Sequence, residues 1–209
     1  MTAEKKRKTA KVLSLIVVVA GMLVITGWIF DISVLKSISP AWVTMKLTTA
    51  ISFLLSGITL YFIVRAVEGD FDRAQVALSI TSLMIILIMG TLFFSALLNI
   101  HTGIDDLFII ETPGAVKTVA PGQPSMPTML NFILTAAAGI FTILNPDKLQ
   151  SKLRIISMTI GTIGAAAVVG YIINAPLLYY FIAGINSAMA CHTAILFVLL
   201  GSGLLCLSD

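Results

Sequence analysis

The sequence predicts an all-α fold: a polytopic membrane helical bundle of six transmembrane helices arranged as three parallel two-helix repeats. Three observations carry this expectation. Of the 209 residues, 58% are apolar and only 11% are charged, against roughly 25% charged in a soluble domain. The apolar residues gather into six stretches, each close to the ~20 residues that a bilayer-spanning helix needs. Finally, residues 45–57 and 189–201 agree at seven positions without a gap. Together they exclude a soluble globular enzyme, a disordered chain and a disulfide scaffold.

A basic cytoplasmic tail, residues 1–11, opens the chain with Lys5, Lys6, Arg7, Lys8 and Lys11. The first span, 12–30, carries no charge. It is longer than the ~7–15-residue core of a signal peptide and is read as a retained span. The second span covers 47–67, with Arg65 near its end; the third runs from about 74 to 98 and the fourth from about 128 to 144. Residues 155–208 are free of charge and too long for one helix. Asn174, Pro176, Gly184 and Asn186 divide them into a fifth span ending near Ile173 and a sixth beginning near Ser187. The membrane domain is thus 12–209, with repeats at about 12–67, 74–144 and 154–207. Cys191 and Cys206 lie 15 residues apart on one predicted helix, about 22 Å, too far to pair.

The basic residues orient the bundle. With the N-terminus inside, ten of the 13 fall on the cytoplasmic side, and only Lys36, Lys46 and Lys117 fall outside. That bias predicts a multi-pass protein of the cell membrane with both termini cytoplasmic. Membrane lipid is the natural partner of the basic tail. Nucleic acid is not, because no aromatic platform accompanies the cluster.

The repeat is carried by Met45, Thr49, Ala50, Ile51, Phe53, Leu55 and Gly57, which match Met189, Thr193, Ala194, Ile195, Phe197, Leu199 and Gly201. Thr128, Phe132 and Leu134 echo the same pattern in the fourth span. Two spans per unit leave every unit in one orientation, so the pseudo-symmetry axis runs along the membrane normal. The second, fourth and sixth helices then all begin at the outer face. Thr48, Thr49, Ser125, Thr128, His192 and Thr193 sit where N-caps and first turns are expected. Converging N-termini expose N–H groups and positive dipole ends suited to a polar or anionic ligand.

The longest outer connection, 99–127, holds four of the seven prolines with Asp105, Asp106 and Glu111, and is the one segment outside the membrane large enough for a lid. Candidate ligand-binding residues are therefore His101, Asp105, Asp106, Thr49, Thr128, His192 and Thr193. No nucleotide loop, zinc-protease motif, nucleophile elbow or paired-cysteine motif occurs. Two histidines without a recurring ligand spacing do not define a metal or haem site, so no cofactor, metal or catalytic residue is assigned. No ionisable residue occupies the middle of a span, which weighs against ion-coupled transport. In the fifth span Gly161 with Ala165, and Ala166 with Gly170, form small-residue pairs that permit close helix contact within the chain or along a homodimer seam.

The stretch Gly27-Trp-Ile-Phe-Asp31 through Met45-Lys46, followed by Thr49-Ala50, Phe53-Leu-Leu-Ser-Gly57, resembles the N-terminal six-span membrane sensory region of bacterial and archaeal sensor histidine kinases and diguanylate cyclases. Gly103-Ile104-Asp105 and residues 189–201 are similar to its later parts. The resemblance covers nearly the whole chain. It implies a sensory module whose sixth helix continues into a cytoplasmic signalling domain or acts on a kinase. The sequence given stops at Ser208-Asp209 with no phosphorylatable histidine region, so kinase or cyclase activity is not carried over. The expected function is a non-catalytic, membrane-embedded sensory module that couples an outer-side stimulus to a cytoplasmic partner. The alternatives are a facilitative transporter or channel for a small solute, and an accessory subunit of a membrane complex.

Overall fold

A computed structural model describes residues 2–98, 100, 103, 116–144, 149–182 and 186–208. In chain order the helices are α1 (Ala3–Ile29), the single turn α2 (Ser33–Lys36), α3 (Leu47–Val67), α4 (Phe71–Ile85), α5 (Thr91–Leu98), α6 (Met126–Leu144), α7 (Leu149–Ile172) and α8 (Cys191–Leu205). A π-helical turn at Ile86–Gly90 joins α4 to α5, and a 3-10 turn at Pro176–Tyr179 precedes α8. Five helices are long and apolar enough to cross a membrane: α1, α3, the continuous α4–α5 unit, α6 and α7.

Several helices begin earlier than the apolar runs that announced them. α1 starts at Ala3, capped by the Thr2 side chain, which accepts from the Lys5 backbone N–H, so the basic segment is itself helical. α4 starts at Phe71 and α7 at Leu149. Hydropathy follows the hydrocarbon, whereas a helix needs only its own hydrogen bonds and continues into the polar interface. The sixth expected span departs the other way. α8 starts at Cys191, not near Ser187, and its 15 residues span about 22 Å, short of the ~30 Å hydrocarbon core. The cause is local: the Ala188 and Met189 N–H groups donate to the carbonyls of Lys117 and Tyr179, which holds the lead-in extended.

The first and last hairpins are held by the same contacts at equivalent positions. A Cβ on Gly21 of α1 would lie 2.9 Å from the Ala50 carbonyl oxygen of α3, and one on Gly164 of α7 would lie 2.8 Å from that of Ala194 on α8. A Cβ on Gly57 would likewise lie 2.8 Å from the Ser14 carbonyl oxygen, and one on Gly201 2.9 Å from that of Ser157. α1 and α7 end alike: Ile32 N–H donates to the Gly27 carbonyl and Ala175 N–H to that of Gly170, both at 2.8 Å. Asp31 and Asn174 sit between at φ +54°, the left-handed closing position that Asn and Asp tolerate. The Trp28 indole N–H donates to the Met45 carbonyl and the Tyr171 hydroxyl to that of Met189, at 2.9 and 2.8 Å. At the end of α5, Ile100 N–H closes back on the Ser95 carbonyl in the same pattern.

The seam on α7 differs from the small-residue pairs expected there. Gly164, Ala167 and Gly170 are buried within the chain, whereas Ala165 is exposed and a Cβ on Gly161 would meet open space. On α3 the close approach falls at Gly57. At the base of the bundle, where α3 turns into α4, Lys11 pairs with Glu68 at 2.7 Å and Arg65 pairs with Asp70.

Candidate functional site

α3, α6 and α8 begin at one end of the bundle, here termed the mouth, and meet along its axis. Phe53, Phe132 and Phe197 are fully buried, and their ring centroids lie 4.7, 4.8 and 4.9 Å apart in the three pairings. Thr49, Thr128 and Thr193 each precede one of these rings by four residues. That spacing stacks each threonine on the same helix face, one turn nearer the mouth. All three are 2% exposed. A layer of hydroxyl-bearing residues thus overlies an aromatic plug.

At α3 and α8 the expected hydroxyls do not cap the helix. The N-caps of α3 and α8 are Lys46 and Ala190, in extended backbone with no side-chain capping bond. These caps lie two residues ahead of Thr48 and His192, which therefore fall inside the first turn. Among the described residues, Thr48 Oγ1 and both ring nitrogens of His192 are buried without a hydrogen-bond partner. At α6, Ser125 and Thr128 share a 2.7 Å hydrogen bond across the first turn. Of the sequence-derived candidates, Thr49, Thr128 and Thr193 are brought to one layer. His192 lies about 100° round its helix from Thr193, and His101, Asp105 and Asp106 lie outside the described residues.

A strap formed by residues 116–125 crosses the mouth and touches the beginnings of all three inner helices. The Lys46 ammonium, on a residue 4% exposed, donates to Thr118 Oγ1 at 3.1 Å. The Lys117 ammonium donates to the Tyr179 hydroxyl at 2.7 Å and lies 4.8 Å from that ring's centroid. Tyr179 in turn stacks on Tyr171 at 4.4 Å. The Ser187 hydroxyl accepts from Val119 N–H at 3.0 Å, and the strap then runs directly into α6. Outside the spans, burial raises the Tyr180 phenol above its ordinary value, and its hydroxyl donates to the Ile163 carbonyl at 3.1 Å.

Beneath the strap lies a cavity of about 370 Å³, whose polar lining comes from Ser95, Gln123, Ser125, Asn186 and Ser187. Hydroxyls and amides suit a small uncharged polar molecule by exchange of hydrogen bonds. Among the described residues no three His, Cys, Asp or Glu side chains come together. Sequence reasoning missed Lys46, Lys117, Tyr179 and Ser187. One signal was available: only three cations were expected at this end, and all are engaged, with Lys36 4.9 Å over the Trp28 ring.

Apolar helices of spanning length around a buried polar mouth define a polytopic α-helical membrane protein. Comparisons with protein-family models, curated proteins and solved structures return no match to the chain.

Proposed function

We propose that this protein is a membrane-embedded sensory module, non-catalytic in this chain, whose mouth faces the outside and receives a small polar molecule. Its six spans form three like-oriented hairpins, with both termini cytoplasmic, and a cytoplasmic signalling domain or kinase reads its state. The observation that carries this reading is the polar cavity beneath the strap, lined by the strap itself, the end of α5, the start of α6 and the lead-in to α8. The recurrence of Gly21, Gly57 and Gly27 contacts at Gly164, Gly201 and Gly170 supports the hairpin arrangement. The ten-to-three distribution of basic residues supports the orientation. The Phe53–Phe132–Phe197 plug favours binding over conduction, since a packed apolar layer fills the place where α3, α6 and α8 meet, one turn below the threonines. Ligand binding then shifts the bundle between two packings to the extent that affinity for them differs.

The test is a Gln123→Cys chain in whole cells, with the unsubstituted chain as baseline. A membrane-impermeant maleimide is expected to label it from outside. A solute that protects the cysteine is expected to raise the thermal midpoint of the purified protein and to stay outside proteoliposomes. Labelling only after lysis overturns the orientation. Accumulation of the protecting solute inside proteoliposomes establishes the facilitative transporter in place of the sensor.

A further inference from the structure

At the base, on the side of the bundle formed by α1 and α3, lies an apolar groove of about 360 Å³. Its walls are Val12, Leu15 and Val18 from α1 and Ile58, Tyr61 and Phe62 from α3, with Lys8 and Lys11 at its rim. α1 and α3 approach closely at Gly57 and Ser14, and the larger side chains flanking that point line the trough. Tyr61 and Phe62 meet edge to face at 5.4 Å and form one firm wall. Leu15 is 62% exposed, so the trough opens onto the surface that hydrocarbon covers in a membrane.

The rim is electrostatically unbalanced. Lys11 is neutralised by Glu68 at 2.7 Å, whereas Lys8, one turn nearer the N-terminus, makes no ion pair among the described residues. An apolar slot of this shape beneath an unpaired ammonium at the membrane interface has the two halves of a phospholipid's chemistry. We propose that the groove binds one anionic phospholipid, with a phosphate against Lys8 and an acyl chain between α1 and α3. The last hairpin provides an internal contrast. It makes the same backbone contact at Gly201, but Ser202, Leu205 and Cys206 replace Ile58, Tyr61 and Phe62, and Ser151 replaces Lys8. Of these two hairpins, the first therefore has the aromatic wall and the cation at the Lys8 position, while the last keeps only Arg154 at the place of Lys11.

The experiment uses the full chain in vesicles of phosphatidylglycerol and phosphatidylcholine, with an Ile58→Trp reporter and acyl chains brominated on one lipid at a time. Quenching from Trp28 and Trp42, measured on the unsubstituted chain, is subtracted. One interfacial cation is expected to favour the anionic lipid about five-fold. Lys8→Gln is expected to lower that preference by about the same factor. Glu68→Gln, which frees Lys11, is expected to raise it by a further factor of about five. A reporter at the equivalent Ser202 is expected to show a smaller preference than the one at Ile58. The proposal is overturned by no preference at Ile58→Trp, by equal preference at both reporters, or by a preference that moves with neither charge substitution.

Discussion

Replacing Gly57 with alanine puts a methyl carbon 2.6 Å from Val18 Cγ2, 2.8 Å from the Ser14 carbonyl oxygen and 2.9 Å from the Val18 backbone nitrogen. Carbon contacts are optimal near ~3.5–4.0 Å, so α1 must retreat from α3 by several tenths of an ångström or more. Two of the three neighbours are backbone, and no rotamer change relieves them. Overpacking of this kind costs about 1–3 kcal/mol, and the helix propensity gained over glycine returns about 1 kcal/mol of that. Lipid tails take up the surfaces that separate, so no transfer to water adds to the loss. Gly57→Ala is therefore expected to lose up to ~2 kcal/mol, centred near ~1 kcal/mol. Gly201→Ala, whose methyl meets only backbone of Gly161 and Ser157 at 2.8–2.9 Å, is expected to lose at least as much. Gly161→Ala is the opposite case, since nothing lies within 4 Å of its Cβ position. It is expected to gain up to about 1 kcal/mol from propensity alone. Reversible unfolding in mixed detergent micelles, followed by circular dichroism, measures all three. Gly57→Ala and Gly201→Ala chains as stable as the parent, or a Gly161→Ala chain that falls with them, would refute the close backbone contact.

Three further outcomes are expected. Phe132→Leu removes two ring pairs worth about 0.5–1.5 kcal/mol each, so the same unfolding assay should show a loss well above that of Phe94→Leu, whose ring is 60% exposed. Asn131 is fully buried and, among the described residues, neither amide atom is partnered, so Asn131→Leu should be neutral or stabilising by about 1–3 kcal/mol; a clear loss in the unfolding assay would reveal a partner. The hydrogen bond and charge of Lys36 hold the Asp31 carboxyl below its ordinary value. Its contribution to stability is thus fully present above the ordinary value near ~3.9 and is lost as pH falls through the lowered one. Lys36→Gln should return Asp31 to the ordinary range in an NMR titration, and an unmoved midpoint would remove the pairing.

The sequence by itself determined the membrane class, because burial in hydrocarbon demands long apolar runs that composition cannot hide. It placed α3 at residues 47–67 and aligned 45–57 with 189–201, the segment whose glycines and phenylalanines then make equivalent contacts. Thr49, Thr128 and Thr193 were legible as one layer because each keeps a four-residue spacing to a ring. Helix termini were not, since a helix runs on through the interface where hydropathy fades, and α8 is shortened by strand-like hydrogen bonds from its lead-in. Only the tertiary structure decided how the mouth closes. Lys46 meets Thr118 across 72 residues and Lys117 meets Tyr179 across 62; neither pair carries a local pattern. Such contacts follow from how one hairpin lies against the next, a matter of side-chain shape between helices. The trough beside Lys8 is likewise decided between helices: α1 and α3 approach closely at Gly57 and Ser14, and the larger side chains flanking that point line it.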